Sequence, residues 1–220
     1  MDVLQKVPLI GGVETEEMDT AKEGDKPSFE PISAAEMSGK KVEFRKIPVP
    51  QHRFTPLKTH WMALYKPITT NMKLDMRMNL KTKKVEIKTT GKQESGALQK
   101  AADFVQAYIL GFEIQDAIAL LRLDDIYIER FEVKDVKTLR GEHLARGVGR
   151  IAGKGGKTKF TIENATRTRI VLADTHIIIL GSFANIRVAR DAICHLIMGS
   201  PPGKVYSKLR TVCSRMAEKF

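Results

Sequence analysis

The stretch that decides the fold is residues 150–170, RIAGKGGKTKFTIENATRTRI, with Gly153-Lys154-Gly155-Gly156 at its centre. The flanking residues predict one short helix over 141–150 and another over 157–164, so the glycines form the loop between them. Glycine permits positive φ and lets another backbone come close to the main chain. Exposed N–H groups, the Lys154 ammonium and the N-terminus of the second helix would meet that backbone, so the loop predicts a phosphate-binding site.

The glycines of residues 147–158 also invite comparison with a P-loop. That motif requires Gly-x4-Gly-Lys-Ser/Thr, and residues 156–158, Gly-Lys-Thr, supply its end. Ile151 stands where the first glycine belongs, and the loop is too short to surround a triphosphate. The spacing therefore argues against a P-loop.

A dinucleotide-binding fingerprint fits the same region more closely. Gly147, Gly149 and Ala152 have its spacing, and Asp174 follows at the end of a predicted strand, where a ribose-binding acid could lie. The motif should follow a buried strand, however, whereas residues 141–146 are polar and helical in character. A nucleotide-binding enzyme built on these glycines is therefore the weaker alternative.

The charge of the chain is unevenly distributed. The net charge is +11, yet residues 1–43 hold five Lys/Arg against ten Asp/Glu. Residues 143–220 hold fourteen Lys/Arg against four Asp/Glu. Such a basic region attracts a polyanion, because each neutralised phosphate releases a counterion. The acidic residues 1–42, poor in aromatics, predict a disordered tail.

Other classes of protein have little support in the sequence. No run approaches the roughly 18 apolar residues of a membrane span and no signal segment is evident, so we expect a soluble intracellular protein. Cys194 and Cys213 are too few for a disulfide framework or a zinc site, and we expect both to be small core residues. The five histidines are scattered outside any catalytic spacing, so we expect no catalytic residue, no metal and no cofactor.

One order of elements, strand–helix–helix–strand–strand–helix, occurs twice. Leu74–Leu80 corresponds to Thr168–Asp174 at an offset of 94 residues, and each copy closes with an amphipathic helix stopped by glycine, Gly111 or Gly199. A last helix follows Pro201. The predicted strands are 44–49, 74–80, 85–88, 126–136, 169–172 and 176–180, and the predicted helices are 57–65, 97–110, 114–121, 141–150, 157–164 and 185–198.

The glycine loop and its flanks resemble the core of the KH domain, the module that clamps about four single-stranded nucleotides. The resemblance implies an α+β fold of two tandem KH-like domains (type I, βααββα), in which helices pack on three-stranded antiparallel sheets, plus a C-terminal helix. Lys159 departs from the family pattern, whose third position after the loop is usually aliphatic. The residues that the resemblance places on RNA are Arg150, Gly153, Lys154, Gly155, Gly156, Lys157, Lys159, Arg167 and Arg169. The residues that it places around a base groove, and that could equally be plain core, are Val148, Ile151, Ile162, Ile170 and Leu172.

The first copy lacks the loop. No glycine occurs between Gly39 and Gly91, and Pro67–Asn71 stands where the loop is expected. We therefore expect this copy not to clamp RNA and to serve as a packing or protein-contact surface, with Trp61 and Tyr65 in its core.

Six segments widen the comparison. They are RFTPLKTHW, VEIKTT, KAADFVQAYILGFEIQDAIALLRLDDIYIE, GRIAGKGGKTKFTIENATRTRIVLAD, ILGSFANIRVAR and GSPPGKVYSKLRTVCSRMAEKF. In this order, over about four fifths of the chain, they resemble the Partner of Nob family, also called Dim-two, of small-subunit ribosome assembly factors.

This resemblance implies a non-catalytic RNA-binding protein with an acidic tail (1–42), a degenerate KH-like domain (43–124), a KH domain (125–200) and a C-terminal amphipathic helix (201–220). It implies binding to the single-stranded 3′ region of the small-subunit rRNA precursor on pre-40S particles, and help in its endonucleolytic maturation. The implied partners are a Nob-type endonuclease, pre-40S ribosomal proteins and assembly factors, and in function the rRNA dimethylase, with no membrane. The implied location is the nucleolus and nucleus, with shuttling to the cytoplasm.

A protein scaffold with a vestigial loop is the remaining alternative. Protein contacts suit the first copy and the last helix best. We expect the helix to dock the face formed by Val205, Leu209, Val212 and Met216 against the second domain or a partner.

Overall fold

Two three-stranded antiparallel sheets with the same strand order form the framework of the molecule. In the computed structural model, which describes residues 43–91, 94 and 96–218, all described residues belong to one compact unit. The strands are β1 (Phe44–Pro48), β2 (Leu74–Asn79), β3 (Lys84–Thr89), β4 (Ile126–Glu132), β5 (Arg169–Ala173) and β6 (His176–Ser182). The sheets have the orders β1-β3-β2 and β4-β6-β5, so the predicted duplication and fold class are confirmed. The predicted disordered tail lies outside the described residues.

Helices pack on both sheets, and most lie where the sequence predicts them. Glu132 and Asp135 form a capping box, which ends the predicted 126–136 strand early and starts a short helix. The helices are α1 (Phe54–Thr59), α2 (Trp61–Lys66), α3 (Ala97–Leu110), α4 (Ile114–Ala117), α5 (Ala119–Arg122), α6 (Val133–Val136), α7 (Glu142–Ala152), α8 (Lys157–Thr166), α9 (Phe183–Met198) and α10 (Pro202–Ala217).

The helical break of the first copy lies at His60, between α1 and α2. The chain then stays helical through Pro67, because a π-helical segment, Pro67–Asn71, directly follows α2. A proline is tolerated at the start of such a segment, where its missing N–H needs no partner. The offset of 94 residues places 153–156 against 59–62, Thr-His-Trp-Met. The prediction that residues 67–71 replace the loop is therefore wrong.

Strand β6 is buried on both faces, which explains its uninterrupted apolar run. Side chains alternate across a strand, and a strand covered on both sides has no need of polar residues. Ile177 and Ile179 belong to the core of the second copy, whereas Ile178 and Leu180 belong to the core of the first. The predicted boundary at 124/125 stays a prediction, and one apolar cluster extends across it.

The C-terminal helix α10 packs on the second copy. Val205 and Leu209 are buried in its core, while Val212 and Met216 are half-buried. The predicted docking of this face is confirmed for the two buried residues.

Candidate nucleic-acid interface

The loop Gly153–Gly156 joins α7 to α8, as predicted. Gly153 has φ 72° and ψ 175°, Gly155 has φ 62°, and Gly156 has φ 78°. Side chains are strained in these conformations, and the region occupied by Gly153 belongs almost only to glycine. Three of the four loop residues therefore have backbone conformations that favour glycine.

The free space around Gly153 differs sharply from that around Gly155. A Cβ at position 153 would overlap Thr158 Oγ1 and lie 2.8 Å from both Cβ and N of that residue. A Cβ at 155 would meet nothing within 4 Å. Gly153 is therefore required for packing, while Gly155 presents open main chain to solvent.

Positive charge surrounds the open part of the loop. Lys154 and Lys157 are exposed, and neither takes part in the seven ion pairs found among the described residues. Helix α8 begins at Lys157, so its first N–H groups and partial positive charge lie beside the two ammonium groups. Main-chain donors and two exposed ammonium groups therefore lie together where a phosphate would bind.

Lys159 is less available than these two lysines. It is half-buried, its ammonium lies 3.8 Å from Glu163 Oε1, and it stands over the Phe160 ring at 5.5 Å from the centroid. Glu163 is only 3% exposed, and its Oε1 accepts a 2.7 Å hydrogen bond from the N–H of Ile170. Since a buried carboxylate is costly without partners, Lys159 helps to compensate it. The ammonium of Lys159, which the sequence predicts to contact RNA, thus also interacts with Glu163 and Phe160 within the protein.

Glu163 fastens α8 to the edge of the second sheet, a role that the sequence analysis missed. Strand β5 pairs only with β6 among the described strands, so its other edge is free. At this edge the carboxylate of Glu163 accepts a hydrogen bond from the N–H of Ile170. Outward-pointing groups recur every second residue in antiparallel pairing, so the N–H and C=O of Leu172 lie at the same free edge. An acid four residues after Lys159 was the available sequence signal.

Most of the predicted base-groove residues are core. Ile151 and Ile162 are 0% exposed and Ile170 is 1% exposed, so a base cannot contact these side chains in this conformation. They support the helix pair and the edge strand from beneath. Val148 and Leu172 are half-buried and remain candidates for the groove.

The predicted arginines lie in three different settings. Arg150 is exposed beside the C-terminus of α9, where a Cβ at Gly199 would lie 3.2 Å from its Nη1. Arg167 is exposed and ends α8 in a left-handed conformation, φ 52°. Arg169 donates from Nε to Asp116 Oδ1 at 3.0 Å, and this hydrogen bond raises the pKa of the guanidinium. Arg169 therefore links the second copy to the first.

An exposed aromatic ring stands beside the loop. Phe160 is 53% exposed, and a Cβ at Gly156 would lie 3.1 Å from its ring. Aromatic faces stack on unpaired bases, so this ring is suited to single-stranded RNA. On the other side of α8, Tyr206 donates a 3.1 Å hydrogen bond to Thr158 Oγ1, so α10 supports the loop from behind.

The competing enzyme motifs do not have their required context. Gly147 and Gly149 lie inside helix α7, whereas a dinucleotide fingerprint requires a turn after a strand. Within residues 43–91, 94 and 96–218, no group of three or more His, Cys, Asp or Glu side chains could hold a metal ion. No helix in the described part of the chain is long and apolar enough to cross a membrane.

Known proteins are similar to this chain in sequence and in fold. The family model described as "Eukaryotic type KH-domain (KH-domain type I)" matches residues 130–214. The pre-rRNA-processing protein PNO1 of Debaryomyces hansenii is 64% identical over 201 residues, which cover 90% of this chain and 78% of that protein. The RNA-binding protein PNO1 of Oryzias latipes is 58% identical over 217 residues, covering 98% of this chain and 88% of its own length.

A solved structure extends the likeness. One chain in the crystal structure of an a/eIF2alpha–aDim2p–rRNA complex from Pyrococcus horikoshii matches with a TM-score of 0.70 and 27% identity. The match covers 82% of this chain and 99% of that chain. The relatives are RNA-binding and pre-rRNA-processing proteins by name, and their family is not one of enzymes. On this identity and coverage, the chain belongs to the Partner of Nob (PNO1) family, as the sequence predicts.

Proposed function

We propose that this chain is a non-catalytic RNA-binding factor that holds the single-stranded 3′ region of the small-subunit rRNA precursor on pre-40S particles and assists its endonucleolytic maturation. The observation that carries the proposal is the loop Gly153–Gly156, whose open main chain lies beside two exposed lysines and a helix N-terminus. The names of the relatives support RNA binding and pre-rRNA processing. The rRNA in the Pyrococcus complex supports the class of RNA.

The geometry supports a division of labour in binding. The RNA backbone contacts Gly155 and the N-terminus of α8, while Lys154 and Lys157 neutralise phosphates. Bases lie over α8 towards the free edge of β5, where the main chain of Leu172 offers one donor and one acceptor for a base edge. Arg150, Arg167 and Arg169 surround this path. Backbone contacts of this kind provide affinity, and contacts with base edges provide sequence preference.

Partners and location belong to the same proposal. A Nob-type endonuclease, pre-40S ribosomal proteins and assembly factors, and the rRNA dimethylase are the proposed partners, and the first copy without the glycine loop is the proposed protein-contact side. The protein acts in the nucleolus and nucleus and accompanies pre-40S particles to the cytoplasm. Relatives named for pre-rRNA processing support the nuclear part of this assignment.

The loop can be tested by reversing its charge. Lys154→Asp with Gly155→Asp places two carboxylates where the phosphate lies, at positions whose side chains point into solvent. We expect at least a hundredfold loss of affinity for single-stranded RNA from the 3′ region of the precursor, measured by fluorescence anisotropy at fixed salt.

The matched control is Lys81→Asp with Thr82→Asp, in the exposed β2–β3 turn of the first copy. It changes the net charge by the same amount and should cost less than about fivefold, since screening weakens distant charges. If the loop variant keeps native circular dichroism and also keeps full RNA affinity, the assignment of the loop is wrong.

A further inference from the structure

A cleft of about 380 Å³ lies at the end of α8 that is remote from the glycine loop. One wall is formed by the second copy, including Asn164, Arg167 and Arg169. The other wall is formed by the first copy, including Gln115, Asp116 and Ala119. Polar side chains of both copies thus face one open space, although the first copy has no glycine loop.

Charge in the cleft is balanced except at one arginine. Asp116 is paired with Arg169, and Glu163, which also borders the cleft, is engaged by Lys159 and by the N–H of Ile170. Arg167 takes part in none of the ion pairs among the described residues. Its exposed guanidinium is therefore the available cation of the cleft, and a guanidinium binds phosphate through two parallel hydrogen bonds.

The cleft is continuous with the loop along one face of α8. Phe160 and Asn164 lie one turn apart on one face of α8, and Arg167 follows at the left-handed end of the helix and borders the cleft with Asn164; all three are exposed. From Gly156 to Arg167 the helix advances about 16 Å, at about 1.5 Å per residue. Four nucleotides at a stacked spacing of about 3.4 Å span about 14 Å. A strand held at the loop therefore reaches the cleft after about four nucleotides.

We propose that this cleft binds one further nucleotide of the RNA strand held by the loop, immediately beyond the four in the groove. Its phosphate lies on Arg167, and its base edge is contacted by the exposed side-chain amides of Gln115 and Asn164. This inference rests on the proposed RNA binding by the loop. It gives the first copy a direct part in RNA recognition, and it gives the Asp116–Arg169 pair the role of holding the two walls together.

The test is a length series of single-stranded RNA. Oligomers of four, five, six and eight nucleotides from the 3′ region of the precursor are titrated into the full chain by fluorescence anisotropy. The wild type should bind about ten to a hundred times more tightly once the strand extends past the groove, the gain expected for a charge-assisted hydrogen bond. Gln115→Ala with Asn164→Ala should reduce this gain by about tenfold, the share of the two hydrogen bonds to the base edge, and should bind the four-nucleotide strand normally. Ala119→Phe, which fills the cleft, should do the same.

Controls separate the cleft from the loop. Gln106→Ala with Asn71→Ala, and separately Ala184→Phe, make the same chemical changes at exposed positions elsewhere and should keep the step. Gly155→Asp should weaken binding at every length. If the wild type binds RNA without a step, or if both cleft variants keep it, the cleft assignment is overturned and the loop stands. If the wild type binds no length of RNA, the proposed function itself fails.

Discussion

Replacing Gly153 by alanine should destabilise the protein far more than the same replacement at Gly155, although both glycines belong to the loop and both have positive φ. At 155 the new methyl group enters open space. At 153 it overlaps the hydroxyl of Thr158 and lies 2.8 Å from Cβ and N of that residue. One of the three contacted atoms is main chain, so rotating the threonine side chain cannot remove the clash.

The magnitudes follow from these two environments. Gly155→Ala costs about 1–2 kcal/mol for a left-handed residue, reduced by about 0.4–1 kcal/mol because alanine restricts the unfolded chain. Gly153→Ala carries about 1–3 kcal/mol of backbone strain and about 1–3 kcal/mol for overpacking. For a protein of this size each kcal/mol lowers Tm by about 2–4 °C. We therefore expect roughly 1–4 °C at 155 and, for a mid-range cost of about 3.3 kcal/mol after the same reduction for the unfolded chain, roughly 7–13 °C at 153.

Urea unfolding followed by circular dichroism measures both free energies of unfolding. A double-mutant cycle with Thr158→Ala adds a direct check, because removal of the hydroxyl should recover part of the loss at 153 and none at 155. If Gly153→Ala costs no more than Gly155→Ala, or if the cycle with Thr158→Ala is additive at 153, the packing argument for the loop is refuted.

Three further predictions concern other parts of the fold. Leu209→Ala should lower the free energy of unfolding by about 2–5 kcal/mol in urea titrations, because this buried residue anchors α10; a cost below about 1 kcal/mol would mean that the helix is not anchored there. Burial raises the pKa of the Cys194 and Cys213 thiols, so at pH 7.5 both should be alkylated by iodoacetamide more slowly than glutathione, and faster labelling would contradict this burial. Hydrogen bonds, first from Arg77, lower the pKa of Glu86 below its usual value near 4.5, so the stability this pair adds is present above that pH and is lost as the pH falls through the lowered pKa. Glu86→Gln should flatten that part of the stability profile, and an unchanged slope would exclude the contribution.

Local patterns in the sequence were sufficient for most of the secondary structure and for the duplicated order of elements. Period-two runs predict β2 and β3, because a strand alternates its faces whatever lies beyond it. Helix α3 is predicted from Ala97 to Leu110, as the structure has it, because its apolar spacing and its stop at Gly111 are both local. The glycine loop could also be predicted from the sequence, since its conformation depends on four consecutive residues.

Sequence patterns were wrong or incomplete where a distant residue or main-chain energetics decided the outcome. The first copy was assigned its helical break at Pro67, since a proline usually ends a helix; the chain instead remains helical there and breaks at His60. The RNA contact of Lys159 stays a prediction, and the sequence did not show its ion pair with Glu163, whose carboxylate also accepts a hydrogen bond from the edge-strand N–H of Ile170.

The sequence by itself determined that two similar α+β units follow one another and that only the second has a glycine loop beside basic residues. Tertiary structure alone decided which of those residues can be reached. It buried Ile151, Ile162 and Ile170, and it paired Arg169 with Asp116, 53 positions earlier in the chain. It also placed the first copy against β6 and beside the end of α8, which forms the cleft. The physical reason is that burial and ion pairing depend on which surfaces meet, and no local period or spacing records that.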